Sequence, residues 1–257
     1  MPIVTLTTDL GQQDYYVGLI KGAILSQTVD TQLVDITHQI PPHDIVQAAY
    51  ILKNCFHSFP QGTIHIISVN NYSSKQGALL LTKHQGHYFI VPNNGVLSLL
   101  FEELPFLIYH IPFFSDAAFT IKNMYATLIR HIKEGGQLNE IGQEIKSIEQ
   151  RITLKPVISN SQIRGSVIHI DHYQNVIVNI SKSLFEQVGY QRPFSVYFKR
   201  YDPIEQLSSH YQDVPVGEVL CLFNSSSYLE IAINMGKAAS LLGLSLNDTI
   251  QIDFKNI

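Results

Sequence analysis

The chain opens on Ile3-Val4-Thr5-Leu6, an apolar, β-branched run that predicts a buried strand. The run breaks into the polar stretch Thr7-Thr8-Asp9-Leu10-Gly11, and residues 15–24 then show helical spacing. A second short strand is predicted over residues 31–38 and a helix over 45–56. In that helix Ile45, Ala48, Ala49, Ile51 and Leu52 share a face, and Asp44 stands where an N-cap belongs. Residues 63–69 read as a third strand that emerges into a polar loop, Asn70 to Gly77, a second place for ligand contacts. Strands over 78–82 and 87–91 flank the turn His84-Gln85-Gly86. Pro92-Asn93-Asn94-Gly95 is a strong turn signal before an apolar helix over 96–101. Residues 105–120 show no regular pattern, and 124–133 read as a helix stopped by Gly135-Gly136.

Alternating strands and helices predict an α/β domain with a mostly parallel sheet over residues 1–155. The polar, charged stretch 140–156 reads as a linker. Beyond it the pattern changes to short strands over 163–170, 176–180, 194–198, 219–223, 229–233 and 249–254, with helical signals only at Leu184-Phe185 and over 238–242. Short strands at this spacing predict a smaller all-β, barrel-like domain over 156–257.

Composition narrows the function. Of the 257 residues, 45% are hydrophobic and 15% charged, enough for a sizeable core, and the formal net charge is −4 with Lys and Arg dispersed. No basic face for nucleic acid is expected, and a small-molecule ligand fits better. No apolar run approaches the roughly 20 residues that span a bilayer, and no signal-peptide pattern is read at the start. Two widely separated cysteines, Cys55 and Cys221, suit a reduced, cytoplasmic setting. No metal-spaced His or Cys cluster, phosphate-binding glycine loop or serine elbow is present in the sequence. His65 and His169 alternate with apolar residues and read as sheet-face positions. Cys55, beside Phe56, reads as core.

Asp9 is the first candidate ligand. It follows the first strand at its carboxyl end, where α/β sheets bind ligands, and a carboxylate can accept hydrogen bonds from both hydroxyls of a ribose. The competing reading is that Asp9 or Asp14 caps the helix that follows. Asp171-His172-Tyr173-Gln174-Asn175, between two strands, reads on its residues alone as a hairpin turn.

Several segments together are similar to a known family. They are Thr8-Asp9-Leu10-Gly11 with Tyr16-Val17-Gly18 and Lys21-Gly22; Val34-Asp35-Ile36-Thr37-His38; Pro92-Asn93-Asn94-Gly95; Gly165-Ser166-Val167 leading to Asp171-His172-Tyr173-Gln174-Asn175-Val176-Ile177-Val178-Asn179-Ile180; and Phe223-Asn224-Ser225 with Tyr228-Leu229-Glu230-Ile231-Ala232. In this order the chain resembles the S-adenosylmethionine (SAM) hydroxide adenosyltransferases, the SAM hydrolases, which share their fold with the SAM-dependent fluorinase and chlorinase. The resemblance implies a homotrimer with SAM bound between the N-domain of one subunit and the C-domain of its neighbour. It implies no cofactor and no metal. It assigns Asp9 to the ribose hydroxyls, Asp171 and Asn175 to the methionine amino group and the adenine end, Tyr173 to an aromatic wall, and Ser225 to the methionine carboxylate.

Three positions depart from that pattern. The family's hydrolases carry an Asp–Arg–His set that serves to activate water. Here Asn70 stands at the Asp position, where an amide cannot act as a base. Lys75 stands at the Arg position without the planar fork, and Thr120 stands at the His position in Phe119-Thr120-Ile121-Lys122-Asn123-Met124. Hydrolysis of SAM to adenosine and methionine, with His43 or His38 activating water, is the first expectation. The second is a catalytically impaired SAM- or adenosine-binding homologue. The third is a halogenase whose neutral pocket of Asn70, Ser73 and Thr120 accepts a halide. Against the third stands the short segment 71–91, where at least the fluorinase carries a long insertion. A non-enzymatic oligomerisation protein, with no affinity for adenosine compounds, is the reading outside this class.

Overall fold

The computed structural model describes residues 2–72, 77–113, 119–199 and 201–255. The chain divides into two compact units, Met1–Ile152 and Thr153–Ile257.

The first unit contains, in order, β1 (Ile3–Thr8), α1 (Tyr16–Gln27), β2 (Gln32–Thr37), α2 (Ile45–Lys53), β3 (Ile64–Ser68), β4 (Gly77–His84), β5 (His87–Pro92), α3 (Val96–Leu100), β6 (Ile108–Phe113), α4 (Ile121–Lys133) and β7 (Gln143–Ile145). The strands form one sheet in the order β2-β1-β3-β5-β4-β6-β7. Helices cover both faces, which is why its inner strands are nearly continuous in apolar residues. Val4, Leu6, Ile64, Ile66, Leu79 and Leu81 pack with Ile20, Ile24, Tyr125 and Ile129 of α1 and α4. Ile67, Leu80, Phe89 and Val91 pack on the opposite face with Ala48, Leu52, Val96 and Leu97 of α2 and α3. Each fully buried Leu or Ile contributes roughly 1.5–3 kcal/mol. Asp44 caps α2 as its position predicts: Oδ1 accepts the backbone N–H groups of Val46 (3.1 Å) and Gln47 (3.0 Å).

The sheet is mixed rather than mostly parallel. β1 pairs in parallel with β2 and β3, and β3 with β5, whereas β4–β5, β4–β6 and β6–β7 are antiparallel. The reversal begins at Gln85-Gly86, both left-handed (φ 48° and 84°), the geometry of a tight hairpin turn. Two strands lie where none was expected. Residues 108–113 form β6 because they pair along β4, from Thr82↔Ile108 to Gly77↔Phe113. Gln143–Ile145, inside the presumed linker, forms the edge strand β7, whose polar composition suits an edge open to water.

The second unit contains β8 (Val157–Ser159), β9 (Gln162–Ile170), β10 (Val176–Ser181), α5 (Lys182–Gly189), β11 (Phe194–Tyr197), β12 (Val219–Phe223), β13 (Tyr228–Ile233), α6 (Ala238–Leu242) and β14 (Thr249–Phe254). Its sheet is antiparallel, in the order β11-β14-β9-β10-β13-β12, with β8 added on β9. It curls into a half-barrel around Ile163, Val167, Val178, Ile180, Phe185, Leu229, Ile231, Ile250 and Ile252. Single bridges from Ile204 to Val196 and from Leu207 to Cys221 link its two edge strands.

Candidate functional site

In the first unit the candidate residues gather where the parallel strands end. Thr8, the last residue of β1, pairs with Ser68, the last of β3, so Asp9 and the Val69–Asn71 segment leave the sheet side by side. Asp9 does not cap α1: that helix begins after Tyr15 with no side-chain cap. Its carboxylate turns instead to the segment after β2, where the backbone N–H of His43 donates to Oδ2 at 2.9 Å. Among the described residues nothing donates to Oδ1, which leaves it open to a ligand hydroxyl. His43 holds this position in a left-handed conformation (φ 67°), and its side chain is exposed.

A chain of polar contacts fixes the segment behind Asp9. The Leu10 N–H donates to Thr8 Oγ1 (3.3 Å), and Thr8 Oγ1 lies 2.9 Å from Nδ1 of the buried His38. His38 Nε2 is 3.0 Å from Asp35 Oδ1, out of line for a hydrogen bond, so this is a contact of charge and dipole. Lys21 closes the chain at 2.6 Å from Asp35 Oδ2. Burial pushes the Asp35 carboxyl up, but Lys21 and His38 together outweigh it and hold it below its ordinary range. The carbonyl of His38 also accepts the Gly11 N–H at 2.8 Å. His38 thus has Nδ1 hydrogen-bonded to Thr8, and Nε2 faces Asp35 without a hydrogen bond.

Asn70 follows β3 in a left-handed conformation (φ 51°). Its neighbour Asn71, which the sequence reading passed over, is the amide built into the structure. Asn71 Nδ2 donates to Ser68 Oγ at 2.8 Å, and its Oδ1 accepts from Tyr125 at 3.3 Å. Tyr125 is fully buried in α4; burial pushes its phenol up, and the charge of Asp9 adds to the shift. Asn94 ties the turn after β5 to the same loop, its Nδ2 donating to the carbonyls of Val69 (3.0 Å) and Asn70 (3.1 Å).

Thr120 occupies the N-cap of α4, but its hydroxyl makes no capping bond; Oγ1 is buried and without a partner among the described residues. Its neighbour Phe119 brings the start of α4 to α1, its ring 5.1 Å from that of Tyr16. Lys75 and Ser73 lie outside the described residues.

In the second unit Asp171 and Asn175 form a closed turn between β9 and β10. Asn175 donates from its backbone N–H to Asp171 Oδ1 (2.8 Å) and from Nδ2 to Oδ2 (3.0 Å). The turn reading and the ligand reading are therefore compatible: each oxygen keeps a second lone pair for a cation. Gln174, left-handed at the tip, accepts at its carbonyl from Ala239 and at Oε1 from Ser240, pinning α6 to the turn. Tyr173 projects outward, 74% exposed. Ser225 is exposed at the tip of the β12–β13 turn, where Asn224 Oδ1 accepts the N–H groups of Ser226 and Tyr228.

Between these turns lies a residue that sequence reasoning gave no role. Glu230 of β13 is only 4% exposed. Its one sequence signal was a charge set among Leu229, Ile231 and Ala232. Two cavities of the second unit, about 360 and 490 Å³, contain none of these residues; Tyr197, Lys199 and Asp253 help line one, and Ile158, Gln187 and Arg192 the other.

Comparison with known proteins places this arrangement. Residues 4–142 match the SAM hydroxide adenosyltransferase N-terminal domain, and residues 165–251 match the C-terminal domain of the same family. The chain is 26% identical to a protein named (R)-S-adenosyl-L-methionine hydrolase from Methanocaldococcus jannaschii, covering 98% of this chain and 96% of that one. It is also 26% identical to a fluorinase from Nocardia brasiliensis, with the same coverage. A crystal structure of an uncharacterized conserved protein from Thermotoga maritima superposes with a TM-score of 0.85 at 28% identity, over 97% of this chain and 99% of that one. Among the described residues, no helix is long and apolar enough to cross a membrane. With both of its parts matched in order, the chain belongs to the SAM hydroxide adenosyltransferase family.

Proposed function

We propose that this protein binds SAM and hydrolyses it to adenosine and methionine. The observation that carries the reading is Asp9: a carboxylate at the carboxyl end of β1, one oxygen held by the His43 N–H and the other open among the described residues. In this reading Asp9 accepts hydrogen bonds from the ribose hydroxyls. Asp171 and Asn175 hold the amino group and the adenine end, Tyr173 covers the purine, and Ser225 meets the methionine carboxylate. Asn70 and Thr120 line the reacting carbon without supplying a base. The working form is a homotrimer in which neighbouring subunits share each site.

The oxygen of water forms a bond to the 5′ carbon as the carbon–sulfur bond breaks. The bonding pair goes to sulfur, which cancels the sulfonium charge, so methionine leaves without acid assistance. Water must lose a proton, and neither Asn70 nor Thr120 can take it. His38 is buried, with Nδ1 on Thr8 and Nε2 facing Asp35. His43 is the remaining base beside Asp9, and its ring is exposed.

A second reading, a SAM- or adenosine-binding protein with impaired chemistry, is favoured by one feature: amide and hydroxyl side chains, Asn70 and Thr120, stand where the family's hydrolases carry Asp and His. Chromatography of SAM incubated with the purified protein, with and without chloride, separates the readings. Adenosine and methionine above a protein-free blank are expected. SAM recovered intact, with binding still measurable by calorimetry, establishes the second reading, and a halogenated adenosine refutes both.

A further inference from the structure

The segment that grips Asp9 is itself tied down by one buried side chain. The parallel pairing of β1 with β2 ends at Thr7↔Thr37. Past that point residues 38–43 carry the N–H that fixes Asp9 Oδ2, and they return to the end of β1 through polar contacts of two kinds. Backbone bonds that most sequences could make run from the Gly11 N–H to the His38 carbonyl (2.8 Å) and from the Ile40 N–H to the Thr8 carbonyl (3.3 Å). The other contact depends on residue identity. Thr8 Oγ1 lies 2.9 Å from Nδ1 of His38, with Thr8 0% and His38 2% exposed.

Asp35 sets the direction of that bond. A carboxylate oxygen 3.0 Å from Nε2 favours the proton on that nitrogen, which leaves Nδ1 of the neutral ring as the acceptor. The Thr8 hydroxyl then donates to Nδ1 and keeps its lone pairs for the Leu10 N–H at 3.3 Å. Lys21, 2.6 Å from the other oxygen of Asp35, holds the carboxylate in place. One side chain thus binds the residues on both sides of Asp9 to the segment that supplies its donor. That donor sits in a left-handed residue, His43 (φ 67°), a conformation that persists where its surroundings hold it.

We propose that His38, oriented by Asp35, is a positioning residue that sets the discrimination between ribose and 2′-deoxyribose: through Thr8 and residues 38–43 it fixes the Asp9 carboxylate where both hydroxyls of a ribose can donate to it. This rests on the SAM reading above and deepens it. A binding group of this kind must be held within about 0.5 Å and 10–20° of its productive geometry. A carboxylate free to swing keeps one of the two hydrogen bonds and loses the other. At 2% exposed, His38 reaches the ligand only through Asp9.

The test reads the ratio of affinities for adenosine and 2′-deoxyadenosine by calorimetric titration of the full-length protein. Wild type should prefer adenosine about tenfold or more, the effect of a hydrogen bond to a charged group, and Asp9→Ala should abolish the preference. Thr8→Val keeps the shape of the side chain and removes its hydroxyl, and the preference should fall below about threefold. His38→Leu should do the same, whereas His38→Asn, whose amide can take the place of Nδ1, should retain most of the preference. Asp35→Asn, a change at an exposed residue that leaves the core intact, should lower the preference in the same direction as Thr8→Val. In an Asp9→Ala background none of these changes should move the ratio further. A purely structural role for His38 would lower the melting temperature and leave the ratio alone. An unchanged ratio in Thr8→Val, or in Asp35→Asn where Thr8→Val does not fold, would overturn the proposal. Equal affinity of wild type for the two nucleosides, or a preference that survives Asp9→Ala, would instead sink the ribose role of Asp9, and this proposal with it.

Discussion

His65 makes the stability of the first unit depend on pH in a way that can be worked out in advance. It is 0% exposed, inside β3. Its Nδ1 lies 2.8 Å from Thr5 Oγ1 and its Nε2 3.2 Å from Nδ1 of His87, within a wall formed by Phe56, Phe59 and Phe89. Burial, and then repulsion from His87, push its pKa down to about 3. In the unfolded chain the same imidazole titrates near about 6.5. Between those values the unfolded state binds a proton that the native state refuses. The stability held by neutral His65 is therefore complete above the unfolded value and is lost progressively as pH falls toward the native one. Linkage gives a loss of about 3 kcal/mol between pH 7 and pH 4 from this group alone. That is a large share of the roughly 5–15 kcal/mol that holds a typical domain. Urea unfolding followed by circular dichroism at several pH values, on wild type and His65→Gln, isolates the effect. Glutamine can accept from Thr5 and donate to His87 but does not titrate. The variant should lose about 3 kcal/mol less than wild type over that range. Parallel pH curves for the two proteins, within about 1 kcal/mol, would refute the reasoning.

Other outcomes follow from the same geometry. Asp9→Ala and Asp171→Ala should each weaken SAM about 10–100-fold by calorimetry, the range for losing hydrogen bonds to a charged group; unchanged affinity in both would sink the proposed site. His43→Gln should lower the rate of adenosine formation with little change in SAM affinity, and an unchanged rate would remove His43 as the base. Asn70→Asp combined with Thr120→His should raise that rate if the two positions line the reacting carbon, as product chromatography would show. Asp44→Ala should cost about 1 kcal/mol of stability through the lost cap on α2, read as a lower melting temperature.

Much of the architecture was legible because it is locally encoded. The run Ile3 to Leu6, the helical spacing after Asp44, the turn at Gln85-Gly86 and the short strands of the second unit declare themselves within a few residues. The place of Asp9 at the sheet's carboxyl edge was legible because a strand that breaks into a polar turn puts its next side chain there. The antiparallel half of the first sheet was not. Ile108–Phe113 becomes a strand through hydrogen bonds to β4, 26 to 36 positions earlier in the chain along their register, and no local pattern encodes a partner so distant. Gln143–Ile145 follows the same rule at the edge, where polar side chains mask the strand.

The sequence by itself determined which residue types were on hand at the strand ends: Asp9 and Asn70 in one unit, Asp171, Asn175 and Ser225 in the other. Only the tertiary structure decided how each is engaged. It buried His38 with Nδ1 on Thr8 and Nε2 facing Asp35, and gave the buried amide role to Asn71 rather than Asn70. It closed Asp171 and Asn175 into one turn, and buried Glu230 under Tyr211. The reason is physical. Residue identity fixes what a side chain can donate, accept or titrate, but burial and partner geometry decide which of those capacities remain free, and both come from strands that meet only when the sheets assemble.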